Sequence, residues 1–332
     1  MSDFLTQLRL RHLVKSATRD FFAGRGYLEV DTPVLTKCPG TEVYLRYFST
    51  NWVDHHDVSR QAFLRSSPEL HMKRVMSHGV SAAFQIGPCF RNHGERSDWH
   101  HPEFTMLEWY QKNLGYQQMI AETERYLRET AERSASLTNI PPAAILPDHF
   151  PNIGVFEAFR EFAGINLQDQ DPDLAAKARE AGVISVRPDD DFETSYFKVL
   201  IEKIEPRIMA MKGCVLSDYP PSQAALAIVE NGVARRFEFY IGRVEICNGF
   251  FELTGEQNNR TRIGESLRER ERAGNPPVPE DELFYRDMGR FNEPCSGNAL
   301  GFDRWMSLLA GAPGLDPALP FRSDIDHWIP AP

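Results

Sequence analysis

The sequence predicts an α+β fold, an antiparallel β-sheet flanked by helices. Three observations predict it. Apolar residues recur at helical spacing over residues 3–23 and again from Gly115 to about Arg133. Strand-like blocks lie around 82–91, 103–110, 235–241 and 244–253. The last two flank Gly242-Arg243, a two-residue turn of Gly-X type that joins antiparallel strands.

Over 3–23 the apolar positions are Leu5, Leu8, Val14, Ala17 and Phe21, and Gly24 and Gly26 end the pattern. Ser66-Ser67-Pro68-Glu69-Leu70 reads as a helix start: serine as N-cap, proline at the first helical position, an acid in the first turn. Glu69 could also serve a ligand amine. Phe84 to Arg91 alternates and ends on an arginine, polar residues run from Asn92 to His101, and the chain returns as Glu103-Phe104-Thr105-Met106-Leu107-Glu108-Trp109-Tyr110. Strand periodicity puts Phe104, Glu108 and Tyr110 on one face. That face is either the wet side of an amphipathic hairpin or a surface that stacks a base and grips an ammonium group. The second helix has Met119, Ile120, Thr123, Tyr126 and Leu127 on its inner stripe. Residues 135–152, rich in Pro, Ser and Asn, read as a connection, and Asp189-Asp190-Asp191 as a solvated loop.

In the regular register of the second hairpin, Glu238 faces Cys247 and Tyr240 faces Glu245, so Glu238 and Glu245 are diagonal neighbours on one face. Like charges so close are unfavourable unless a cation bridges them. Mg²⁺ suits two carboxylates and leaves positions for phosphate; two exposed glutamates on a wet face are the alternative. A plain pleat would put Asn248 and Glu252 on the face opposite Glu245, so the sequence predicts a bulge between Cys247 and Gly249 that re-aims them.

Composition narrows the function classes. Of the 332 residues 42% are apolar and 25% charged, ordinary globular usage. The five cysteines are scattered with no C-x-x-C pair, which predicts reduced thiols rather than disulfides or zinc. No basic n-region precedes an apolar run and no stretch approaches a membrane span, so the expectation is a cytoplasmic protein with no membrane partner. The formal net charge of −10 argues against a whole tRNA as partner, because phosphate neutralisation drives such binding. There is no G-x-x-x-x-G-K-[ST] loop, so any ATP is held some other way.

Four segments in order resemble the class II aminoacyl-tRNA synthetases, lysyl branch. Gly26-Tyr27-Leu28-Glu29-Val30-Asp31-Thr32-Pro33 is similar to motif 1, whose proline lies at the dimer interface, and implies a homodimer. Phe90-Arg91 through His101-Pro102-Glu103 to Glu108 resembles motif 2. Glu245 to Leu253 is similar to the lysyl enzyme's own segment. Ser296-Gly297-Asn298-Ala299-Leu300-Gly301-Phe302-Asp303-Arg304 resembles motif 3, with alanine where a glycine is usual. The resemblance covers nearly the whole chain. It implies a class II catalytic core as a single domain over 1–332. Because motif 1 begins at Gly26, the expectation is a free-standing core without the anticodon-binding OB domain. Such free-standing cores resemble the lysyl-tRNA synthetase paralogues that modify translation elongation factor P.

The resemblance implies roles for particular residues. Arg91 would hold the ATP α-phosphate and the substrate carboxylate, Phe104 would stack adenine, and Arg304 would cover the far side near the γ-phosphate. Asn92, His93, Glu95, His101, Glu245, Ile246 and Gly301 would complete the ATP site, and Glu238 and Glu245 would carry Mg²⁺. Glu69, preceded by Ser67 and Pro68, would take the backbone amine. Glu108, Tyr110, Asn248 and Glu252 would form the side-chain amine pocket, floored by Ala299. The implied reaction is ATP-dependent activation of (R)-β-lysine or lysine and transfer to a lysine of elongation factor P.

Motif 2 usually reads Arg-x-Glu; here Asn92 and His93 follow Arg91, and Glu95 stands as the replacement acid. His93, His100 and His101 lack metal spacing. Two other readings compete. A free-standing amide synthetase of the asparagine synthetase A type takes an acidic substrate, against which Glu69, Glu108 and Glu252 argue. A non-catalytic synthetase-like regulator would have lost Arg91, Glu238, Glu245 and Arg304, and this chain keeps them.

Overall fold

The computed structural model describes residues 3–92 and 97–321. In chain order the first stretch carries α1 (Phe4–Ala23), β1 (Leu28–Glu29), β2 (Leu35–Thr36), β3 (Ser49–Val53), β4 (Ser59–Leu64), α2 (Glu69–Ser77), β5 (Ala82–Phe90), β6 (Glu103–Lys112) and α3 (Tyr116–Thr138). Next come α4 (Pro142–Ile145), β7 (Asn152–Gly154), α5 (Val155–Ala158), α6 (Leu174–Glu180), α7 (Phe192–Val199), α8 (Glu205–Met209), β8 (Gly213–Tyr219), β9 (Val229–Glu230), β10 (Val233–Ile241) and β11 (Val244–Phe251). The last stretch holds α9 (Glu256–Arg272), α10 (Glu282–Met288), β12 (Cys295–Gly301) and α11 (Phe302–Leu309). Strands and helices mix along the chain, as an α+β fold requires. The chain divides into two compact units, residues 1–142 with 252–332, and residues 143–251.

In the first unit β1 runs parallel to β5, β5 pairs antiparallel with β6, and β6 pairs antiparallel with β12. A small sheet of order β2-β4-β3 stands apart from these strands. Helix α1 starts at Asp3, whose carboxylate accepts from the Thr6 N–H at 2.9 Å. It buries Leu10, Val14, Ala17, Phe21 and Phe22, whereas Leu5 and Leu8, expected on the inner stripe, are exposed. At about 100° per residue both lie roughly half a turn round the helix from Val14 and Ala17, on its outer side. All five residues expected on the inner stripe of α3 are buried. That helix runs on to Thr138, where Asn139 closes it in the left-handed region (φ 55°), so the connection is shorter than predicted. Phe22 stacks on Phe84 at 4.8 Å, with Trp109 and Tyr126 beside it, and this aromatic core ties α1 and α3 to β5 and β6.

In the second unit the strand order is β11-β10-β8-β7, with β9 paired to β10. Its core gathers Val155, Phe159, Tyr196, Val199, Ile204 and Leu216. Asp191, expected in a solvated loop, caps α7 by accepting from the Thr194 N–H, and Asp190 pairs with Lys198 at 2.6 Å. The β10–β11 turn has Gly242 at φ 55°, a conformation that favours glycine, and Tyr240 faces Glu245 as predicted. The bulge is real but earlier than predicted. Phe239 pairs with Cys247, leaving Ile246 as the extra residue, and Glu238 faces Asn248 instead of Cys247. The slip brings Glu238, Glu245 and Asn248 onto one face.

All five cysteines are free and buried. Burial pushes the thiols of Cys38, Cys89 and Cys214 up to about 12.

Candidate active site

The pleat of β6 does what its alternation promised. Glu108 and Tyr110 lie on one face of the first unit's sheet, 0% and 3% exposed. On the neighbouring strand Ala299 stands opposite Glu108 and Gly297 opposite Tyr110, so these four positions share a face. A Cβ at Gly297 would run into Glu252 Oε1 and the Tyr110 ring. Close approach of the Tyr110 ring and Glu252 to the β12 backbone is why glycine stands there. Gly297 thus belongs to the site, although only its motif, not a role, was legible.

The start of α2 faces the same acids. Ser67 Oγ donates to Glu108 Oε1 at 2.5 Å and accepts from the Glu69 N–H at 2.9 Å, so one hydroxyl opens the helix and orients the carboxylate. The assigned cap is Pro68, one residue before the helix, and the serine still supplies the capping oxygen. Tyr110 donates to Glu108 Oε2 at 3.0 Å. One turn into α2, Lys73 is 0% exposed and places its ammonium 2.7 Å from Glu69 Oε1 and 2.6 Å from Glu252 Oε2. A lysine on an amphipathic helix reads as solvated, and nothing in its spacing marked it.

Burial sets the electrostatics. It pushes the Glu108 carboxyl up to about 8, with the Glu69 charge adding to the rise and the Ser67 and Tyr110 hydrogen bonds opposing it. Burial likewise raises Glu252 to about 7 against the pull of the Lys73 charge. Burial works to lower Lys73, but Glu252 and Glu69 outweigh it and hold the ammonium above its ordinary value. The linkage sign follows. With folded values above the ordinary 4.5, the native state binds these protons more tightly than the unfolded chain. That stability is complete below about pH 4.5 and is lost as pH rises through about 7 and about 8. The ligand-free protein is therefore expected to lose Tm steadily from about pH 6 to about pH 9, and Glu108→Gln to flatten the decline. Thermal denaturation across that range checks it; an unchanged slope in the variant would reject the assignment.

Two arginines were expected at the nucleotide. The Arg91 guanidinium lies over the Phe104 ring, 5.2 Å from its centroid, and its Nε is buried without a hydrogen-bond partner. Such an orphaned donor beside an aromatic plate fits an anionic ligand with a planar base. Arg304, in the first turn of α11, donates to the Trp99 carbonyl at 3.2 Å and lies 2.6 Å from His100 Nε2. Arginine has no acceptor, so that nitrogen accepts, and the His100 proton sits on Nδ1 towards Ser97 Oγ at 2.7 Å. Gly301 caps α11. His101, expected near ATP, pairs with Asp316 at 2.9 Å. The exposed Asn92 is joined through its backbone to Arg46. His93 and Glu95 lie outside the described residues.

The second unit carries the carboxylates expected to hold a metal. Glu238 Oε1 accepts from Arg236 at 2.5 Å and Oε2 from Tyr240 at 2.7 Å, and Arg236 also donates to Asn248 Oδ1 at 3.2 Å. Arg236 therefore supplies a positive charge beside Glu238 that was expected only of an ion, and Asn248 is held by that arginine. Glu245, opposite Tyr240, is half-buried, and Ile246 is 1% exposed inside the bulge. Hard carboxylate oxygens from Glu238 and Glu245 fit Mg²⁺. Among the described residues no group of three or more His, Cys, Asp or Glu is placed to hold a metal ion, so phosphate and water oxygens would have to complete its shell.

The chain matches the family model for tRNA synthetases class II (D, K and N) over residues 2–324, across both units. It is 34% identical over 328 residues to the elongation factor P--(R)-beta-lysine ligase of Histophilus somni (strain 2336), covering 96% of each chain. The protein of that name from Haemophilus influenzae (strain PittGG) is 33% identical over 325 residues, 95% of this chain and 96% of the relative. That of Proteus mirabilis (strain HI4320) is 31% identical over 334 residues, 97% and 98%. No described helix is long and apolar enough to cross a membrane. With four ordered motifs and a match over nearly its whole length, the chain belongs to the class II tRNA synthetase family of the D, K and N type.

Proposed function

We propose that this protein activates (R)-β-lysine or lysine with ATP as an aminoacyl-adenylate and transfers it to a lysine of elongation factor P. The observation that carries the reading is the acid set of buried Glu108 and Glu252 with half-buried Glu69, around Tyr110 and Ala299. A dry pocket penalises an ammonium without partners, so three acids select a small diamine-bearing amino acid and repel an acidic one. The names of the relatives supply the acceptor.

The chemistry asks for no protein nucleophile. A carboxylate oxygen of the amino acid attacks the α-phosphorus, and pyrophosphate leaves. The acceptor amine, arriving neutral, attacks the carbonyl carbon; the amide bond forms, the C–O bond to AMP breaks, and a proton is released. Arg91 binds the α-phosphate and the substrate carboxylate, Phe104 stacks the base and Arg304 neutralises the far phosphates, so rate comes from positioning and charge. Mg²⁺ held by Glu238 and Glu245 would neutralise the phosphate charge. The cytoplasm and a homodimer through the Pro33 segment complete the reading.

Pyrophosphate exchange with lysine, β-lysine and aspartate, followed by the mass of elongation factor P after incubation with enzyme and ATP, tests it. Exchange with a basic amino acid and a matching mass gain are expected. Exchange with aspartate alone would indicate an amide synthetase, and none at all a regulator. Ala299 stands opposite Glu108, and in this reading its methyl crowds an α-amino acid but leaves room for one whose amine sits one carbon along. Ala299→Gly should shift preference towards α-lysine by about tenfold, since one methyl is worth that much discrimination. An unchanged preference would remove Ala299 from substrate selection.

A further inference from the structure

Lys73 is a fully buried cation that the activation chemistry does not use. It sits on α2, one turn after Glu69, and no water-facing path accounts for its charge. Its two partners, Glu69 and Glu252, both belong to the acid set. The geometry at Glu252 is asymmetric. Oε2 faces the Lys73 ammonium, whereas Oε1 lies over Gly297 beside the Tyr110 ring. One oxygen is anchored from behind and the other is presented on the face shared with Glu108 and Ala299.

We propose that Lys73 is a positioning residue for substrate recognition: it grips one oxygen of Glu252 so that the other meets the ammonium group of the amino-acid substrate. This rests on the activation reading above. The other groups facing the cluster do not duplicate Lys73. From β6 come Glu108 and Tyr110, which raise the demand for a cation, and from β12 the buried Cys295 thiol. Arg65, before α2, spends its donors on the Pro88 carbonyl and on the Thr32 carbonyl and hydroxyl. With Lys73 gone, Glu252 would lie buried among Glu69, Glu108 and Tyr110 without its counter-charge, and would hold its proton to higher pH than in the parent. A protonated Glu252 no longer offers a charged acceptor, and one substrate ammonium loses its partner.

Lys73→Met keeps the volume of the side chain and removes its charge. The readout is pyrophosphate exchange with β-lysine, with KM for the amino acid and for ATP measured separately against pH. The variant should raise the amino-acid KM by about tenfold or more at about pH 7, the loss of one charge-assisted hydrogen bond, and leave the ATP KM within about twofold. The amino-acid KM penalty should shrink as pH rises, because Glu252 then ionises without its counter-charge. Parallel rises in both KM values, or a penalty that does not change with pH, would reduce Lys73 to packing and overturn the proposal. Should the single variant fail to fold, Lys73→Met with Glu252→Gln removes the uncompensated charge. That pair should show the raised KM with no recovery at high pH; recovery there would overturn the proposal, since a glutamine cannot ionise. If the parent protein itself exchanges with neither lysine nor β-lysine, the activation reading fails first, whatever the variants do.

Discussion

Arg91→Ala is expected to lower amino-acid-dependent pyrophosphate exchange by about 10²- to 10³-fold, the effect of deleting one preorganised donor at a centre of developing charge. Arg91 ends the β5 segment at the point where the chain leaves the sheet, and its backbone N–H is fixed to the Pro102 carbonyl at 2.9 Å. The guanidinium is thereby held over Phe104. In the proposed reaction it places charge rather than holding the fold, so the loss should fall on kcat more than on Tm. Arg91→Lys should recover only part of the activity, because an ammonium lacks the planar fork that reaches two oxygens at once. Single-turnover adenylate formation would separate the two contributions. An Arg91→Ala protein with exchange within about threefold of the parent would remove this residue from the reaction.

Gly297→Val is expected to abolish amino-acid-dependent exchange while ATP still binds. No side-chain atom fits above the Gly297 Cα, because Glu252 Oε1 and the Tyr110 ring occupy that volume. A valine would drive Glu252 off Lys73 or Tyr110 off Glu108, and either move breaks a buried hydrogen-bonded charge arrangement. Overpacking of this kind costs about 1–3 kcal/mol of stability in a dense core. A modest fall in Tm with complete loss of exchange is the pattern to look for, together with nucleotide binding close to the parent's. If valine were accommodated with full activity, the acids around Gly297 would not be the amino-acid pocket.

Much of this could be read beforehand because period-2 and helical spacings carry over directly into which face a side chain takes. Glu108 and Tyr110 share a face for that reason, and the α3 stripe is buried for the same one. The Gly242-Arg243 turn fixed Tyr240 opposite Glu245. Beyond it, spacing called for a bulge between Cys247 and Gly249, where the ladder runs unbroken; the extra residue is Ile246, nearer the turn. Lys73 and Arg236 escaped for a different reason. A basic residue is ordinarily solvated, and only the three-dimensional convergence of Glu69 with Glu252, or of Glu238 with Asn248, makes burial favourable. Leu5 and Leu8 err the other way, apolar residues about half a turn round α1 from Val14 and Ala17 and so left exposed. The roles of Arg91 and Phe104 came from motif resemblance, since an arginine followed by a polar loop has no chemistry legible in spacing alone.

The buried thiols turn the molecule into its own stopwatch. A thiol whose proton is held up to about 12 exposes almost no thiolate to an alkylating reagent at neutral pH. Labelling must then wait for the surrounding structure to open, so its rate reports opening, not reactivity. Cys38, Cys89 and Cys295 lie in one unit, and Cys214 and Cys247 in the other. Pulse alkylation read by peptide mass would time the breathing of each unit separately, with the wild-type chain and no engineered probe.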